Sequence, residues 1–130
     1  MAQPNGINPS FGGKVKALGF DAIHGNGVST TCRETNATTM VNVFGTASGF
    51  EGTITGVWLV SLDATAGNIT VSTPSGTVCT IAKGTVTGTA VHTATLSNTA
   101  ITIAGSVSIL STANANARVY ISYKVSDNLD

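Results

Sequence analysis

Two histidines, His24 and His92, two cysteines, Cys32 and Cys79, and six carboxylates are the groups in this chain with chemistry to offer. A metal site needs such ligands at short, regular spacings, and no C-x-x-C or H-x-x-x-H pattern occurs. Asp21 and His24, three apart in a glycine-rich stretch, are too few to hold an ion. A Ser-His-Asp relay could be drawn from the abundant serines with His92 and Asp63, but no nucleophile-elbow sequence accompanies it. Paired acids for glycosidase chemistry would come from Asp21, Glu34, Glu51, Asp63, Asp127 and Asp130, of which only Asp63 falls among the regular strands. Gly25-Asn26-Gly27 does not join a strand to a helix, so it is no phosphate cradle. The expectation is a protein that is not an enzyme and uses neither cofactor nor metal.

The elements that would carry these groups are poor in charge. Between Gly52 and Val125 only Asp63, Lys83, Arg118 and Lys124 are ionised at neutral pH, within alternating Thr, Val, Ile, Ser and Gly. The whole chain of 130 residues is 9% charged and 42% hydrophobic, against about 25% charged in an ordinary domain. Threonine supplies about a sixth of the residues, and β-branched side chains lose less freedom on a pleated surface than on a helix. A formal net charge of zero with scattered basic residues argues against a nucleic-acid partner. Aromatics at 5% are too few for a base-stacking platform. No apolar run nears the roughly eighteen residues of a membrane helix, and Met1 to Ser10 has no apolar leader core. So uncharged a surface predicts cover by further copies or by a partner. Cys32 and Cys79 read as reduced thiols, with a disulfide between them as the alternative.

Two textures divide the chain. Residues 1–40 hold Pro4, Pro9, Gly12-Gly13 and the charges Lys14, Lys16, Asp21, Arg33 and Glu34, with no sustained period. They read as an extended N-terminal arm that docks Phe11 and Phe20 onto a partner, with Lys14 and Lys16 beside them; disorder is the alternative. Residues 41–130 read as one β-domain. Thr53 to Leu62 is the most apolar run, and its continuous Val57-Trp58-Leu59-Val60 predicts burial on both sides, with Trp58 in the core. Ile69 with Val71, Cys79 with Ile81, and Ile101 with Ile103 form inward pairs. Ala104-Gly105 either turns the chain or lies in one bulged strand that continues to Val107 and Ile109. In the last strand Ala117, Val119, Ile121, Tyr123 and Val125 alternate with Arg118, Tyr120, Ser122 and Lys124. That parity sends Tyr120 outward beside Arg118, as an interface anchor. About eight strands with frequent turn signals and no helix predict an all-β, antiparallel β-sandwich, with the jelly roll as the favoured version.

Four phrases carry a resemblance: Gly56-Val57-Trp58-Leu59-Val60, Thr65-Ala66-Gly67-Asn68-Ile69-Thr70-Val71, Thr80-Ile81-Ala82-Lys83-Gly84 and Arg118-Val119-Tyr120-Ile121-Ser122-Tyr123-Lys124-Val125. Together they resemble the small β-sandwich modules of tailed-phage virion proteins, above all head-decoration proteins and the knobs of head or tail fibres. The resemblance covers residues 52–125. It implies a virion location after assembly in the host cytoplasm, an arm that grips the major capsid protein or another virion protein, and a homo-oligomer, with a trimer favoured. The alternatives are a receptor- or carbohydrate-binding or adhesin module using loops 84–89 and 113–117, and a tail or baseplate subunit.

Overall fold

The computed structural model describes residues 27–93 and 95–126. Within these residues nine strands run in order: β1 Ser29–Glu34, β2 Val41–Asn42, β3 Gly52–Ser61, β4 Gly67–Thr73, β5 Gly76–Lys83, β6 Ala90–His92, β7 Ala100–Ile101, β8 Ser108–Ser111 and β9 Ala117–Val125. Among the described residues there is no helix. The strands form two antiparallel sheets, one ordered β1-β9-β3-β6 with β7 also on β3, the other ordered β2-β8-β4-β5. The pairing is nested. A central hairpin β4–β5 is flanked along the chain by β3 with β6 and β7, then by β2 with β8, and last by β1 with β9. Apart from the β4–β5 hairpin and the step from β6 to β7, each connection crosses from one sheet to the other.

Period-two alternation explains the core. Ile54, Val57 and Leu59 of β3 and Ala117, Val119 and Ile121 of β9 meet Ile69, Val71, Val78, Cys79, Ile81 and Ile109 of the second sheet, all buried in one cluster. Two bulges adjust the phase. The register shift between Ile54 and Gly56 leaves Thr55 unpaired, so Ile54 and Val57 point inward although they are three apart. A second shift opposite Val71 and Ser72 puts the neighbours Val78 and Cys79 both in the core. At one end Phe44, Phe50 and Tyr123 form a ring cluster with centroids 5.0 to 5.4 Å apart and close the sandwich.

The all-β, antiparallel architecture follows the sequence, and three details differ. Strand β1 lies inside the stretch read as arm, where its exposed residues give no apolar period; it belongs to the sheet because β9 supplies its backbone partners. Trp58 and Val60 are half-buried on the outer face, while Val57, Leu59 and Ser61 face the core. Ile103 is 54% exposed and no partner to the buried Ile101. The reason is that β7 and β8 lie in different sheets, so the chain turns at Ala104-Gly105 to cross over.

Candidate functional site

Chemistry-bearing side chains gather in two places. The first is the outer face of the five-stranded sheet. Register sets Cys32 of β1 opposite Tyr120 of β9, Tyr120 opposite Trp58 of β3, and Trp58 opposite His92 of β6. Side chains at opposed positions rise together from a sheet, so the rings stack. Tyr120 and Trp58 have centroids 5.4 Å apart and planes within 2° of parallel. Trp58 and His92 lie 5.9 Å apart at 18°. Both faces of the indole are therefore covered.

One row along, Arg118 is opposed to Glu34 and to Val60. The Arg118 guanidinium donates to Glu34 Oε2 at 3.2 Å. Hydrogen bonding to Tyr120 first, and to Glu34 second, holds the guanidinium above its usual pKa. On the other side of the rings lie Thr30, Ser122 and Gly56. Ser122 Oγ sits 3.0 Å from Thr55 Oγ1. A Cβ at Gly56 would come 2.7 Å from Ser122 Oγ, so any larger residue there would require that hydroxyl to turn away.

The second place is the loop between β3 and β4. The Lys83 side chain is wholly buried, and its Nζ donates to Asp63 Oδ1 at 2.7 Å. It also donates to the carbonyls of Asp63, Thr65 and Gly84. Asp63 in turn accepts from the backbone N–H groups of Thr65 and Asn116. The Lys83 hydrogen bond does most to hold the Asp63 carboxyl below its ordinary value, against an opposing push from burial, with the two N–H bonds adding to the lowering. Every contact of Nζ is to an oxygen of the loop or of its own strand end, so Lys83 serves to hold this loop in place. This locus ties three segments of chain together.

The structure places the expected residues as follows. Arg118 and Tyr120 share the outer face, as the alternation predicts. Phe11, Lys14, Lys16 and Phe20 lie outside the described residues, as do Asp21, His24, Asp127 and Asp130. Asp63 is engaged by Lys83, while His92 stacks on Trp58, and no hydrogen bond joins the two. Cys32 is free and exposed. Cys79 is free and buried, and burial pushes its thiol up to about 11. Among the described residues no three His, Cys, Asp or Glu side chains gather where they could hold a metal.

Sequence reasoning missed Trp58 and His92 as members of the row. The signal was available in part: Trp58 has the opposite parity to Val57 and Leu59, and an aromatic between two core residues of a strand faces outward. The chain matches no protein-family model, no curated protein and no solved structure.

Proposed function

We propose that this chain is a non-enzymatic structural protein of a tailed-phage virion, a capsid decoration or head-fibre component that self-associates and binds the capsid through the segment before β1. The observation that carries the reading is the nested pairing of β1 with β9, β2 with β8, β3 with β6 and β7, and β4 with β5. That order is the one expected of a jelly roll, an architecture used by viral capsid and lectin domains. The step from fold to role is analogy; the phage-like strand phrases and the low charge point the same way. The described ionisable groups support a structural part, since Lys83 with Asp63 and Arg118 with Glu34 hold segments of backbone together. Copies on a regular lattice would engage several weak contacts at once, so that avidity exceeds any single site.

Co-sedimentation with heads of the encoding phage, prepared without this protein, tests the reading. The full chain should pellet with the heads. A form lacking residues 1–20 should keep its β-sheet spectrum and stay in the supernatant. Full-occupancy binding by the shortened form would remove the arm from the proposal, and no binding by the full chain would overturn it.

A carbohydrate-binding role draws on the outward Tyr120–Trp58–His92 row. Sugars stack on ring faces, however, and both faces of Trp58 are covered. Binding of the isolated protein to a glycan array would favour this second reading over the first.

A further inference from the structure

We propose that the outer face of the five-stranded sheet is a contact between two copies of this chain, packed face to face about a two-fold axis. The proposal deepens the self-association in the reading above and rests on that part of it alone.

Shape is the first argument. The rings of Tyr120, Trp58 and His92 form a ridge across three strands. Immediately beside it runs the low row of Thr30, Ser122 and Gly56. An isologous contact needs a surface that complements itself. A two-fold axis lying across the strands, between ridge and low row, lays each ridge along the other copy's low row.

Charge is the second. A face that meets its own copy meets its own charge, so a net field would repel. On this face Glu34 and Arg118 neutralise each other in an ion pair. Lys124 of β9 stands two positions beyond Ser122, at the margin, where interface rims are commonly charged and wet. The centre of the face holds no Asp, Glu, Lys or Arg, so little desolvation opposes contact. Tyr, Trp and Arg, here adjacent, are also the residue types that dominate binding energy at protein contacts.

Area sets the strength. Four strands span roughly 19 Å, and six residues along them about 20 Å, on the order of 400 Å² of plane per copy. With side-chain relief, two copies reach about the 1,000 Å² floor of a specific interface. The contact is therefore weak and concentration-dependent, suited to copies held near one another on a lattice.

Sedimentation equilibrium of the full chain, from micromolar to millimolar concentration, is the test. The mass should rise from one chain toward two. Tyr120→Lys, which charges the ridge, and Ser122→Arg, which fills the low row, should each weaken association at least tenfold. Leu110→Lys, on the outer face of the other sheet, should leave it unchanged. His92→Glu, at the exposed end of the ridge, replaces either variant whose melting temperature falls. A chain that stays monomeric, a limiting mass of three chains, or association that survives both face variants would overturn the proposal. Head binding is read separately by co-sedimentation. A monomer that binds heads sinks only this proposal, and a dimer that ignores them sinks only the virion reading.

Discussion

Lys83 Nζ lies 2.7 Å from Asp63 Oδ1 with the whole lysine side chain withdrawn from solvent. The pair joins the end of β5 to the β3–β4 loop, and through the Asn116 N–H to the loop before β9. A buried ammonium is tolerated only when its hydrogen bonds are made, and here four oxygens receive them.

Lys83→Met should destabilise the fold by on the order of 2–3 kcal/mol, because three carbonyls and a carboxylate lose their donor. Arg118→Gln, which breaks the solvent-facing pair with Glu34, should barely move the midpoint. Urea titrations of the two variants against the parent chain decide it. Equal effects would mean that the buried pair does not hold the loop.

The pH dependence has a definite sign. The Asp63 carboxyl is depressed below its ordinary 3.8 in the folded chain. The stability it adds is present above that value and is lost as pH falls through the lower folded value. Thermal melts of the parent should therefore worsen on acidification below about pH 4. Asp63→Asn should remove that part of the slope while lowering the midpoint at neutral pH. A slope unchanged in the variant would assign the acid sensitivity to other carboxylates.

Neighbouring residues on β3 should respond in opposite ways. Leu59 is fully buried, whereas Trp58 stands on the outer face. Leu59→Ala should cost about 2–5 kcal/mol by opening a cavity. Trp58→Leu should cost less, despite the larger side chain, and should abolish the fluorescence of the only tryptophan. A Trp58 variant as unstable as the Leu59 variant would restore the core position that the apolar run suggests.

The two cysteines should differ in reactivity. In native conditions near neutral pH an alkylating agent should label Cys32, which is exposed, and spare Cys79. Burial holds the Cys79 thiol up to about 11 from 9.0, and the thiolate is the reactive form. The same displacement makes the fold lose stability as pH climbs above 9, where the unfolded chain ionises first. Peptide mass mapping before and after denaturation reads both sites. Early labelling of Cys79 would show a core that opens readily.

Strands that alternate over many residues were legible. Ala117 to Val125 alternates as the sequence indicates as far as Tyr123, and only at its end does the pattern fail, where Val125 is exposed. The misreadings share a cause, because period two fails wherever pairing is interrupted or one-sided. A run such as Val57-Trp58-Leu59-Val60 has no polar residue to mark its outer face, so it looks buried throughout. Strand β1 is exposed along its length and is held by backbone bonds to β9, which leave no trace in residue type. Ile101 and Ile103 keep parity across a point where the chain leaves one sheet for the other. The Tyr120–Trp58–His92 row depends on the register of three strands, and a single sequence carries parity but not register.

Strand β9 is the spine of its sheet, pairing β1 on one side and β3 on the other. It is also the last of the nine to leave the ribosome. Contacts such as Arg118 with Glu34 join positions 84 residues apart, so they form late and slowly. Until β9 emerges, β1 has no neighbour and β3 lacks its longest one. The nascent chain must therefore wait, with its Thr- and Val-rich strands open to one another's copies on a polysome, for a closing segment delivered after the other eight strands.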